Sequence, residues 1–169
     1  IQAHGADTCK YYWGSFPGAG GGGRIAVHYK TNSFAGTATA NGGTTGDANM
    51  NGAPGTVGFF DESDPGHIIL TTGHRWRFEA VDSAFSYWDI QMLNSFANTA
   101  SGVTELTVGN SLLVGGTSDL WLGTVTQVTA TNIIVETDAE IKADGNGYAA
   151  NEGPGAATDG NMGASHGGV

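Results

Sequence analysis

A chain of 169 residues is long enough for one domain with a core and too short for two large ones. Charged residues make up only 13% and glycines number 29, which excludes a largely helical protein and suits many short strands joined by turns. The net charge of −10, from 16 acidic against 6 basic residues, repels a phosphate backbone and excludes nucleic acid as the expected partner.

In chain order, Ile1-Gln-Ala-His-Gly5 alternates as a short strand that leaves through a glycine turn. Cys9 is the only cysteine, so no internal disulfide framework exists. Tyr11, Tyr12, Trp13 and Phe16 cluster ahead of the glycine run 18–23. That run is followed by no GK[ST] and leads into a strand, Arg24–Tyr29, where a phosphate-binding loop needs a helix. It reads instead as a loop lying flat against a neighbour because it lacks Cβ atoms. Thr56–Phe60 is the next strand, and residues 67–145 are denser in strand signals: His67–Leu70, Trp76–Val81, Tyr87–Leu93, Thr104–Val108, Leu120–Val125 and Asn132–Glu136. Residues 146–169 return to glycine, asparagine and alanine. No apolar run reaches membrane length, so no membrane insertion is expected.

An internal repeat organises these strands. Residues 103–110 align with 125–132 at an offset of 22, with Val103/Val125, Thr104/Thr126, Thr107/Thr129 and Asn110/Asn132 identical, and Leu112-Leu113 falling on Ile134-Val135. A period in the low twenties, built of β-branched strands and turn residues, is what one coil of a β-solenoid requires. A second echo joins Ile1-Gln-Ala-His-Gly5, Ala38-Thr-Ala-Asn-Gly42 and Ile141-Lys-Ala-Asp-Gly145. Asn110 and Asn132 are expected to stack as an amide ladder at a corner. The expected fold is therefore all-β, a right-handed parallel β-helix with glycine-rich loops, forming a single domain over 1–169 with a glycine-rich C-terminal segment 146–169. An antiparallel sandwich fits the strand lengths but not the repeat.

The segment Gly18-Ala-Gly-Gly-Gly-Gly-Arg-Ile-Ala-Val-His-Tyr29, continued by Phe34-Ala-Gly36, Thr37–Gly43 and Gly52-Ala-Pro-Gly-Thr-Val57, resembles a GGxGGRIA-type motif of large glycine-rich bacterial surface proteins. The tail segments Ala143–Tyr148, Gly153–Gly155 and Ser165–Gly168 resemble another part of the same proteins. The resemblance implies a pectin-lyase-like parallel β-helix, and a fold shared with lyases does not itself imply lyase activity.

Candidate chemistry is sparse. Asp144-Gly-Asn-Gly-Tyr148 begins like a calcium loop but lacks the later EF-hand ligands. Asp61, Glu62 and Asp64, or Asp138, Glu140 and Asp144, form the weaker acidic groups on which a structural calcium could sit; no other cofactor is expected. None of the five histidines stands in a zinc-binding spacing, and Ser165-His166 lacks the context of a nucleophile elbow. Arg75 and Arg77 alternate with Trp76 and Phe78, which puts the arginines on one strand face, where Asp82, Asp89 and Trp88 would complete a uronate-binding groove. Tyr11, Tyr12, Trp13, Arg75, Arg77 and Trp88 are thus the candidate glycan or subunit contacts. The expectation is an extracellular or cell-surface structural protein, not an enzyme. It would be a filament subunit or a segment of a surface fibre or adhesin, with copies of itself as partner, end to end or side by side. The alternative is a carbohydrate-binding or polysaccharide-lyase-like module with a polysaccharide partner.

Overall fold

The computed structural model describes residues 1–8, 17–79, 87–123 and 127–143. Cys9, Tyr11, Tyr12, Trp13, Phe16, Asp82, Asp144 and the segment 146–169 lie outside them. The described chain is all-β apart from a 3₁₀ turn at Ala48–Met50. Its strands are β1 (Arg24–Tyr29), β2 (Thr56–Asp61), β3 (Ile68–Thr72), β4 (Arg75–Phe78), β5 (Tyr87–Leu93), β6 (Phe96–Thr99), β7 (Glu105–Gly115), β8 (Asp119–Trp121), β9 (Gln127–Thr129), β10 (Asn132–Val135) and β11 (Glu140–Lys142).

From β3 onward the strands stack in parallel as a β-solenoid of about four coils. One wall is β3-β5-β7-β10 and a second is β4-β6-β8-β11. A third wall begins where β9 pairs with the first half of β7. The cause is visible in the inward ladders. Leu70, Ile90 and Leu112 occupy equivalent positions in successive coils and are fully buried, as are Thr72, Met92 and Val114 beside them. On the second wall the inward column runs Trp76, Ala97, Leu120, with the large indole at one end and the small alanine next to it. Each fully buried aliphatic side chain contributes roughly 1.5–3 kcal/mol, and a coil buries its residues only against the coils beside it.

The corner between these walls is held by hydroxyls. Thr72, Ser95 and Ser118 are buried there; the Thr72 hydroxyl donates to the Val57 carbonyl at 2.8 Å, and the Ser95 amide donates to the Ser118 hydroxyl at 3.0 Å. Outside them, Asn94 sits at φ 54° and Gly116 at φ 64°, the left-handed geometry a tight corner needs. The Asn94 side-chain oxygen accepts the Thr117 amide of the next coil at 3.1 Å. Asn94 therefore supports a corner of the kind expected of Asn110 and Asn132.

That expected Asn110–Asn132 ladder does not form. The offset of 22 holds for Glu105–Thr107 against Gln127–Thr129, but Asn132 pairs with Ser111, an offset one shorter. Ile133 and Ile134, not Ile134 and Val135, lie on Leu112 and Leu113. The reason is an extra residue in β7 at Gly109-Asn110, which shifts its register against β5 as well. Asn110 instead donates to the Asp89 carboxylate at 2.8 Å.

The two ends of the solenoid differ. At the first coil, β2 leaves the second wall, where Thr56 pairs with Arg75, and crosses to run antiparallel to β3 through Phe59–Asp61. Its own Val57 and Phe60 are buried, so β2 covers that end, and β1 pairs in parallel on β2. At the last coil, Ile133 and Val135 continue the ladders of Leu112 and Val114 yet are 48% and 45% exposed.

The glycine-rich segments are joined into a second body by backbone hydrogen bonds. Residues 1–8 and 38–45 run side by side in parallel, with Gln2 opposite Thr39, so the first two members of the sequence echo pair in register. Gly20 and Gly23 donate to Ala6 and Ala3, Ala19 and Gly22 to Met50 and Ala53, and Gly52 and Gly55 to Gly43 and Ala40. In each case the donors recur every third residue. That is the period of polyproline II and not the two-residue period of a strand. A Cβ on Gly22 would lie 2.1 Å from the Ala40 carbonyl oxygen, and one on Gly42 would lie 1.8 Å from that of Gly52. At Gly22 and Gly42 the backbones touch, and only a residue without a Cβ fits.

Candidate functional site

The outward face of the second wall is the chemically distinctive surface. Because strand residues alternate, burial of Trp76 and Phe78 turns Arg75 and Arg77 outward, as the sequence alternation requires. Stacking then builds two outward rows across the coils. One runs Arg24, Thr56, Arg75, Phe96, Asp119, Glu140; the other runs Arg77, Asn98, Trp121, Lys142. A groove of about 430 Å³ lies on these rows, lined by Pro54, Thr56, Arg75, Arg77, Phe96 and Trp121, with Trp76 and Asn98 completing it.

The groove is cationic in an acidic chain. Four of the six basic residues, Arg24, Arg75, Arg77 and Lys142, lie on this wall. The Arg75 guanidinium sits 4.6 Å from the centre of the Phe96 ring, Arg24 is 5.0 Å from that of Trp76, and Lys142 is 5.9 Å from that of Trp121. Such stacking holds a cation in place while its N–H donors stay free for another partner. Arg77 pairs with Glu79 at 2.9 Å, at an exposed position where the pair contributes little. Lys142 bridges Asp119 at 3.0 Å and Glu140 at 2.5 Å, and hydrogen bonding to these carboxylates, Glu140 foremost, raises its pKa. Among the described residues no carboxylate lies within ion-pair distance of Arg24 or Arg75. The indole Nε1 atoms of Trp76 and Trp121 are enclosed and meet no acceptor among the described residues.

The other expected site residues lie elsewhere. Trp88 and Asp89 are on β5, in the first wall, so they do not complete a groove with Arg75 and Arg77. Trp88 lies with its ring centre 4.2 Å from that of His67 at a tilt of 48°, His67 Nδ1 contacts Asp64 at 2.5 Å, and Trp88 covers Gly109. Asp89 is engaged by Asn110 and the Ser111 amide. Arg75 and Asp89 are close in sequence, but the corner after each coil's first strand sends β4 and β5 to different walls. Of the acidic groups, Glu62 contacts His28 at 2.6 Å, Asp61 accepts the Ser63 amide, and Glu140 is held by Lys142. Asp138 lies in a second groove of about 440 Å³ with Gly116, Val135, Glu136 and Thr137. Among the described residues, no three His, Cys, Asp or Glu side chains gather as a metal site. Tyr11, Tyr12, Trp13 and Asp144 lie outside the described residues.

Phe96, Asn98 and Trp121 are the groove residues that the sequence did not single out together. Their signal was an outward position repeated from coil to coil, which becomes legible only once the register is known. Among the described residues no helix is long and apolar enough to cross a membrane. No protein family, curated protein or solved structure matches the chain.

Proposed function

We propose that the chain is a structural module of an extracellular fibre or surface assembly. In this reading it is a right-handed β-helix with glycine-rich loops that associates end to end with copies of itself and makes or breaks no covalent bond. Right-handedness is the general preference of parallel crossovers in one sheet. The resemblance of residues 18–57 to glycine-rich surface proteins supports the location.

The observation that carries the reading is the open core ladder of the last coil. Ile133 and Val135, which continue the buried ladders of Leu112 and Val114, are each about half exposed on a strand with one edge unpaired among the described residues, the arrangement that invites another strand. Residues 144–169 carry only Tyr148, Met162 and Val169 as large apolar residues. At the other end β1 pairs on one edge alone among the described residues. Two unlike ends, one crossed by β2 and the other ending in β10, favour a heterologous contact, which propagates into a filament.

Sedimentation velocity over a concentration series, with electron microscopy of the same samples, tests this. The expected result is concentration-dependent assembly into fibres with an axial repeat of about 4.8 Å per coil. The double variant Ile133→Asp/Val135→Asp is expected to stay monomeric with an unchanged circular dichroism spectrum. A wild-type chain that remains monomeric at millimolar concentration sinks the reading.

A further inference from the structure

We infer that the cationic groove on β4, β6 and β8 binds an acidic glycan, with Arg75 and Arg77 taking the carboxylate or sulfate groups of the sugar chain. The inference does not rest on self-association, since the groove lies on the side of the solenoid and not at its end.

Three observations carry it. The first is the distribution of charge. A chain with 16 acidic and 6 basic residues gathers four of its cations on one wall, where three would suffice to neutralise the Glu79, Asp119 and Glu140 carboxylates beside them. The second is the preparation of Arg75. Its guanidinium is fixed over Phe96 and left without a carboxylate, so the planar fork is ordered before any ligand arrives. Less side-chain entropy is then lost on binding, and the fork's geometry matches a carboxylate or sulfate two bonds at a time. The third is the floor. Phe96 and Trp121 lie 6.4 Å apart in successive coils, flanked by Thr56 and Asn98, so apolar ring surface alternates with hydroxyl and amide groups. That mixture suits a sugar, which presents C–H faces and hydroxyl edges together.

The shape favours a chain over a small anion. The groove crosses three strands, which repeat about every 4.8 Å along the solenoid axis, so consecutive sugar units meet equivalent strand positions. The remaining surface is acidic, which selects against a densely charged polymer such as single-stranded nucleic acid and favours a glycan with spaced acidic groups.

The test is isothermal titration calorimetry on the full chain at dilution, with four probes: trigalacturonate, a sulfated tetrasaccharide, neutral cellotetraose and a short oligothymidylate. Binding of either acidic sugar is expected, weakening as salt is raised, and the stronger of the two identifies the acidic group. Arg75→Gln is expected to weaken it at least about tenfold, and Arg77→Gln by less because Glu79 already engages that side chain. Both side chains point outward, so folding is expected to be preserved; Lys30→Gln, an exposed cation away from the groove, serves as the control and leaves affinity unchanged. Tryptophan fluorescence should shift with the acidic sugars through Trp121. Binding of cellotetraose or oligothymidylate in preference to both acidic sugars overturns the inference. So does absence of binding to all four, or equal loss in Arg75→Gln and Lys30→Gln.

Discussion

At the scale of single residues, the glycines divide by what surrounds them and not by their number. Gly21 and Gly22 are neighbours in one run, yet a Cβ on Gly21 would come no closer than 3.7 Å to another atom, while one on Gly22 would meet the backbone at 2.1 and 2.5 Å. Backbone cannot rotate aside as a side chain can. Gly22→Ala is therefore expected to lower stability by about 1–3 kcal/mol, the usual range for overpacking. Gly21→Ala is expected to leave it unchanged or raise it by up to about 1 kcal/mol through the unfolded chain. Chemical denaturation of the two variants decides this, and similar losses in both would show that the glycine run is not a close-contact surface. Trp88 makes a related point. It is 38% exposed and also covers Gly109, where the missing side chain leaves room for the indole.

At the scale of elements, one inward ladder contains both the strongest and the weakest positions of the core. Leu112 is fully buried and Ile133, its neighbour in the next coil, is about half exposed. Leu112→Ala is expected to cost roughly 2–5 kcal/mol, and Ile133→Ala less than about 1.5 kcal/mol when measured below the assembly concentration. Equal costs would mean that the last coil is covered in the free chain. The same comparison shows what the sequence could disclose. The strands Arg24–Tyr29 and Tyr87–Leu93 were legible to the residue, because β-branched and aromatic residues alternate between clear turns. The repeat at 22 residues revealed the solenoid. It misplaced Asn132 because identity cannot report an extra residue such as that at Gly109-Asn110. β6 was missed: Phe96-Ala-Asn-Thr99 is short, and its only large apolar residue points outward. The groove was half legible. Alternation gave Arg75 and Arg77, but which residues lie beside them depends on coil register, which only pairing determines. The period-three contacts at 1–8, 18–23, 38–45 and 50–56 left a trace in the spacing of their glycines and alanines, but it is masked where consecutive glycines fill every phase.

At the scale of the whole molecule, the solenoid is close to one-dimensional, so its stability is a sum over neighbouring coils and the end coil is the least supported. Lys142 ties that coil down by joining β11 to Asp119 of β8. Its pKa is raised in the folded state, so its contribution is fully present below the ordinary lysine value and is lost as pH rises through the raised one. Amide-exchange protection factors should therefore fall in β10 and β11 at strongly alkaline pH before they fall in β3 and β5. Lys142→Met should remove the alkaline step. A uniform loss across all coils would refute the assignment. The net charge of −10 acts at this scale as well, setting copies against one another at low ionic strength.

The period-three glycine body adds a thermal asymmetry. The solenoid is held by buried apolar side chains, whose exposure on unfolding carries a large positive heat capacity and whose grip weakens on cooling. The glycine segments are held by amide–carbonyl contacts and bury little apolar surface apart from the small cluster of Ile25, Ala40 and Val57 at their edge. Their unfolding exposes mainly polar backbone, which lowers the heat capacity. One chain thus joins two bodies whose stability curves bend differently with temperature, and in the cold the glycine body retains more of its hold than the coils do.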